Sequence, residues 1–293
     1  MPIPASIAEH VKRIELTTRD LVRSLVAGDY ASSFKGRGVE FAEVREYLPG
    51  DDVRTIDWNV TARMGTPYVK RFHEERQLTL LLLVDMSASE GFGSVTRTKR
   101  ELAAEVSAVL ALAATRHRDQ VGAAFFTDRV EWFVPPRSSR RQALRIVSQV
   151  LEFEPAGRGT DLPATLDFLD PLLRRRSAVV LISDFLDRSQ WSALDRLAHR
   201  HDVVAVQLTD PRERELPPVG LVTLWDPESG RHLVVDADEP DVREGFRAAR
   251  AAFDEELRAF TGHRGIDLLQ LDTDQSYGDR LAAFFNRRER RRR

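Results

Sequence analysis

The stretch at residues 77–89, QLTLLLLVDMSAS, constrains the fold more than any other part of the chain. Its apolar run at 78–84, mostly leucine, ends abruptly in Asp85, and Ser87 and Ser89 follow at alternate positions. A run so apolar and about one strand long reads as a strand covered on both faces, as in a parallel sheet with helices on each side. The polar cluster then falls at the strand's carboxyl end, where open α/β sheets bind ligands.

The chain beyond it alternates. Residues 99–116 (KRELAAEVSAVLALAATR) predict a helix, 120–127 (QVGAAFFT) a second buried strand, and 130–134 a short strand stopped by Pro135 and Pro136. Helices are expected at 139–152, 162–174, 190–200, 242–261 and 277–286, with strands at 177–183, 202–208 and 265–271. Such alternation implies right-handed crossovers. The expected fold class is therefore α/β, a doubly wound, mostly parallel sheet. Residues 211–240 break the rhythm: 221–225 and 232–235 are short strand candidates around the turn residues 227–230, which predicts a hairpin insertion.

Ahead of this domain lies a different kind of sequence. Residues 6–27 carry a helical stripe of Ile7, Val11, Ile14, Leu21 and Leu25, with Gly28 as a stop. Residues 36–72 are punctuated by Pro49, Gly50, Gly65 and Pro67, so strands and turns are expected there rather than one long helix. In that segment, charges of both signs, Arg54 and Asp57 among them, interleave with Tyr47, Trp58 and Phe72. Two readings stand: a solvated surface of weak ion pairs, or a partly buried network that fixes the segment to the main domain or presents a docking face. The domain plan is a helical and β extension at 1–76 packed on the main domain, the α/β domain at 77–286, and a basic tail at 287–293.

Composition narrows the function. At 293 residues the chain can bury a sizeable core, and Lys plus Arg at 44 against Asp plus Glu at 46 gives no global attraction to nucleic acid or anionic membrane. The one run of like charge, RRERRRR at 287–293, reads as a solvated helix end, so nucleic-acid binding through it is the lesser expectation. There is no cysteine, which excludes disulfides, thiolate metal sites and cysteine nucleophiles. The amino terminus has no apolar signal core, and no stretch has the length and apolarity of a membrane span. The expected location is cytoplasmic.

The chemistry gathers at the end of the first long strand. Asp85, Ser87 and Ser89 form DxSxS. Thr160 lies in the loop GRGTD before a helix, and Asp184 ends the strand SAVVLIS. Together these are hydroxyls and carboxylates without histidine, a donor set that favours Mg²⁺, with Mn²⁺ or Ca²⁺ as alternatives, over zinc or copper. Uncharged serine and threonine donors leave such a cation under-neutralised, which invites a carboxylate from a partner. The competing reading is local: Ser and Asp after a strand also cap helices, and Thr160 with Asp161 can be the cap of the helix starting at Leu162.

This set resembles the metal-ion-dependent adhesion site (MIDAS) of von Willebrand factor type A domains. By that resemblance Asp85, Ser87 and Ser89 form the first motif, Thr160 is the distant threonine, and Asp184 is the final acid. The blocks FKGRGVEFAEVREYLPGDDVRTIDWNVTAR, YVKRFHEERQLTLLLLVDMSAS, LISDFLD and HDVVAVQLTDPRERELPPVG are similar to the bacterial domain-of-unknown-function-58 family, which places a type A domain after a charged amino-terminal segment. Its members are often encoded beside MoxR-type AAA+ ATPases, which implies an adaptor or chaperone-like role. Some members carry amino-terminal membrane helices, and this sequence departs from them there.

The function expected is a metal-dependent protein-interaction module and not an enzyme, with an acidic protein partner and a MoxR-type ATPase as candidate partners. The alternative is a Mg²⁺-dependent hydrolase or phosphoryl transferase built on Asp85. It would need a base, a lysine or a phosphate cradle nearby, and none is evident in the sequence: there is no GxxxxGK[ST], and His199 and His201 do not match a zinc spacing.

Overall fold

A computed structural model describes residues 14, 18–23, 25, 34, 40–73, 77–226 and 230–291. The chain divides into two compact units, one at 36–78 and the other comprising 1–35 and 79–293.

In the smaller unit, β1 (Glu40–Glu46) pairs antiparallel with β2 (Tyr68–His73), with an irregular register between Phe41 and Glu43. A short helix not expected from the sequence, α1 (Trp58–Met64), lies between them. The Asp57 side chain caps it, accepting from the backbone N–H groups of Asn59 (2.9 Å) and Val60 (3.2 Å), and Gly65 ends it at φ 74°, a conformation open to glycine. Arg45 holds Asp51 by two hydrogen bonds of 2.8 and 2.7 Å. Asp57 thus serves as a cap and Arg45 with Asp51 as a bidentate pair, while Trp58 stays 70% exposed.

The larger unit has the doubly wound, mostly parallel sheet expected. Its strands are β3 (Thr79–Asp85), β4 (Gln120–Phe126), β5 (Val130–Arg137), β6 (Ala178–Ser183), β7 (Asp202–Thr209) and β10 (Asp267–Asp272). They lie in the order β10-β7-β6-β3-β4-β5, all parallel except β5. The odd members of the leucine run, Leu81 and Leu83, face a core shared with α4 (Leu162–Leu169), α5 (Trp191–Arg200) and α6 (Pro240–His263). The alternate residues turn to the face that α2 (Lys99–Arg116) covers. Helix α2 is buried almost all round between Leu102 and Ala114, as its alanine and leucine content requires, and α3 (Arg140–Glu152) packs on it.

Three boundaries differ from the sequence reading. Strand β5 does not stop before Pro135 but runs through Pro136 to Arg137. It is an edge strand, where a missing N–H breaks no ladder, and Gly122 opposite leaves room for Pro136, which would stand 2.9 Å from a β-carbon there. The helix expected at 162–174 ends at Leu169, just before Pro171. At the other end of the chain α7 (Tyr277–Arg290) continues into the arginine run, and Arg288 is 2% exposed rather than solvated. Its guanidinium reaches Asp202 Oδ1 (2.7 Å) and Asp267 Oδ2 (2.8 Å) and lies 4.8 Å from the centre of the Phe34 ring.

The hairpin forms from β8 (Leu221–Trp225) and β9 (His232–Asp236), which pair only with each other among the described strands. Its turn at 227–229 lies outside the described residues, as does most of the helix expected at 6–27; residues 14, 18–23 and 25 are helical. Among the described residues no helix is long and apolar enough to cross a membrane.

Candidate functional site

Strand order decides where a site can form. The chain lays β4 and β5 on one side of β3, then returns to place β6, β7 and β10 on the other. The reversal falls between β3 and β6, and a crevice opens outside their carboxyl ends. Asp85 is the last residue of β3 and Asp184 the first after β6, so sheet topology brings together two acids far apart in sequence.

Asp85 is 3% exposed, and both its oxygens are oriented: Oδ1 accepts from the Ser87 N–H (2.9 Å) and Oδ2 from the Ser183 hydroxyl (2.7 Å). The Ser87 and Ser89 hydroxyl oxygens stand 3.2 Å apart, and the Ser89 hydroxyl hydrogen-bonds Asp184. Thr160 lines the same cavity as Asp85, Ser89 and Asp184. It is brought there by two backbone bonds, Ala88 N–H to Arg158 O (2.9 Å) and Asp161 N–H to Thr127 O (2.8 Å). Asp161, one residue on, is the helix cap, accepting from the Ala164 N–H at 2.8 Å. The local and the site readings of this loop thus belong to neighbouring residues. All five residues singled out in the sequence converge on one edge.

Three further residues complete the cluster. Lys99, first residue of α2, is fully buried, with its ammonium 2.8 Å from Asp184 Oδ2 and 2.7 Å from Glu213 Oε1. Glu90 is 1% exposed; its Oε1 accepts from the Asp184 N–H (2.8 Å), and its Oε2 has no hydrogen-bond partner among the described residues. Ser183 orients Asp85 and also accepts from the Phe185 N–H (3.1 Å). Phe185 sits at φ 58°, a left-handed turn that is uncommon for a residue with a side chain.

The electrostatics divide the two aspartates. Burial is the largest influence on Asp184 and works to raise it, but the Lys99 charge and the hydrogen bonds from Lys99, the Leu186 N–H and Ser89 together hold the carboxyl below its ordinary value. For Asp85 burial dominates, Asp184 adds to it, and the carboxyl is pushed up to about 6. Burial likewise raises Glu90, against the pull of Lys99. Among the described residues no lysine, arginine or histidine forms an ion pair with Asp85, whereas Glu90, Asp184 and Glu213 all face the Lys99 ammonium and Glu90 also faces Arg100.

Among the described residues no group of three or more histidine, aspartate or glutamate side chains is arranged to hold a metal, so a cation here depends on the hydroxyls. The donor set fits one: Asp85 lacks a cation, Ser87 and Ser89 present adjacent hydroxyl oxygens, and every donor is a hard oxygen. Both oxygens of Asp184 are engaged, Oδ2 by Lys99 and Oδ1 by the Leu186 N–H (3.1 Å), which leaves Asp85 as the primary acid.

The family model described as "Protein of unknown function DUF58" matches residues 43–256. The uncharacterized protein Rv1480 of Mycobacterium tuberculosis is 36% identical over 290 residues, which cover 97% of this chain and 90% of that protein. Among solved structures, BatB from Bacteroides thetaiotaomicron aligns with a TM-score of 0.46 and 16% identity, over 73% of this chain and 99% of that one. The SpRpn10 VWA domain aligns with a TM-score of 0.37 and 10% identity, over 70% and 94% respectively.

Proposed function

This chain belongs to the DUF58 family, and we propose that within it the chain is a metal-dependent protein-interaction module, an adaptor or chaperone-like partner of a MoxR-type AAA+ ATPase acting in the cytoplasm. The observation that carries the reading is Asp85: a buried carboxylate, oriented through both oxygens, beside two serine hydroxyls and without a cationic partner among the described residues.

On this reading Asp85, Ser87 and Ser89 hold Mg²⁺, with Thr160 and Asp184 beside them; Mn²⁺ or Ca²⁺ would suit the same oxygens. The bound cation supplies an open coordination position for a carboxylate from the partner. The chain's own residues do the rest. Ser183 and the Ser87 N–H fix the Asp85 carboxylate, while the single positive charge of Lys99 is shared between Asp184 and Glu213 and leaves Asp85 for the cation.

The test is affinity capture of the full chain with a MoxR-type ATPase in Mg²⁺ and in chelator. Retention in Mg²⁺, lost in chelator and in Asp85→Ala and Ser87→Ala, is the expected result. Retention indifferent to all three contradicts metal bridging.

A further inference from the structure

The oxygen cluster is one end of a larger cavity of about 940 Å³, whose remaining walls are mostly apolar. A cation and one carboxylate fill little of a space near the top of the roughly 300–1,000 Å³ range that drug-sized ligands occupy. Phe92, Leu186, Leu216, Leu224, Trp225 and Phe246 supply the apolar side, from five separate segments of the larger unit. Of these, Phe92, Leu186 and Trp225 are 44, 43 and 57% exposed, and on the hairpin Leu221 and Val234, which share a face with Trp225, are each more than half exposed. Exposed apolar surface of this extent beside a polar site marks a binding face.

Two features indicate what covers it. Strand β8 contributes Thr223 to Trp225 to the wall and pairs only with β9 among the described strands, so its other edge can take an extended segment. The charges at the rim are mixed, with Arg212 beside Asp187 and Asp226. A single carboxylate aimed at the cation is accommodated there, whereas a run of acids meets both aspartates. We infer that the partner segment is an extended peptide with one acidic residue flanked by bulky apolar side chains, the acid at the oxygen cluster and its neighbours against Phe92, Leu186 and Trp225. This rests on the metal-bridging reading and adds the apolar requirement to it.

Panning a random peptide library on the full chain in Mg²⁺ tests the inference. The expected peptides carry one aspartate or glutamate close to leucine, phenylalanine or tryptophan. A synthetic copy of the leading peptide should bind about tenfold or more weakly to the double variant Leu186→Ser/Trp225→Ser. Mg²⁺ binding by that variant should be unchanged, and Phe92→Ser, away from the hairpin, should weaken the peptide independently. The two failures separate. Acidic peptides without apolar preference, held equally well by both variants, overturn the apolar requirement and leave metal bridging standing. Apolar peptides held equally in chelator and by Asp85→Ala overturn metal bridging and with it the placement of the acid. No enrichment over an unrelated immobilised protein overturns the inference.

Discussion

The Lys99 ammonium stands 2.8 Å from Asp184 Oδ2, across 85 residues of sequence, and both groups are buried. The bond ties the first turn of α2 to the carboxyl end of β6, and the second bond of Lys99, to Glu213, adds the turn after β7. Removing one member of such a cluster costs more than the pair is worth, because the partner charge stays buried without compensation. Lys99→Met keeps the length of the side chain and should destabilise the protein by about 3–5 kcal/mol. Denaturant unfolding monitored by circular dichroism reads this directly; an unchanged midpoint would show that Asp184 and Glu213 find other partners.

Asp85 should behave in the opposite way. With its carboxyl pushed up to about 6 from the ordinary 3.8, ionisation opposes folding of the metal-free protein. The sign follows from proton binding: between about pH 4 and 6 the folded state holds a proton that the unfolded state has released, so this group's contribution falls as pH rises through that window. Asp85→Asn should therefore raise metal-free stability at neutral pH, by an amount on the order of 2–3 kcal/mol. The gain should vanish below about pH 4, where the carboxyl is protonated in both states. Equal stability of the two proteins across the range would mean that Asp85 is solvated or already neutralised.

The arginine tail offers a contrast within one helix. Arg288 is buried against Asp202 and Asp267, whereas Arg287 is exposed. Arg288→Ala should lower stability by about 3–5 kcal/mol, and Arg287→Ala should stay within about 0.5 kcal/mol of the parent. Thermal unfolding of the two variants side by side distinguishes a structural arginine from a solvated one; similar effects would refute the assignment.

In the unit at 36–78, Asp57→Ala removes the cap of α1 and should cost about 1 kcal/mol. Arg54 is exposed in the short turn before it, so Arg54→Ala should be nearly neutral. Denaturant titration of both variants is the check, and a large loss from Arg54→Ala would point to a contact beyond the turn.

What was legible in the sequence follows a physical pattern. The leucine run, the acid that ends it and the acid that ends SAVVLIS were readable because local periodicity fixes a buried strand, and the switch in strand order then places both acids on one edge. The hairpin was readable from its turn residues. Lys99 and Glu90 were not singled out, since each looks like an ordinary charge in its own segment and is buried only by elements from elsewhere in the chain. Arg288 was read as solvated for the same reason: Asp202 and Asp267 lie on strands that its helix reaches only in three dimensions. The continuation of β5 through Pro135 and Pro136 depended on its place at the sheet edge, which no local pattern discloses.

The central claim is that the oxygens of Asp85, Ser87 and Ser89 hold a divalent cation, and Mg²⁺ titration by calorimetry of the purified full chain tests it most directly. The account predicts saturable binding of one cation per chain near neutral pH, abolished in Asp85→Ala and Ser87→Ala while both variants remain folded. Absence of saturable binding in the parent protein, or binding that survives both substitutions, would contradict it.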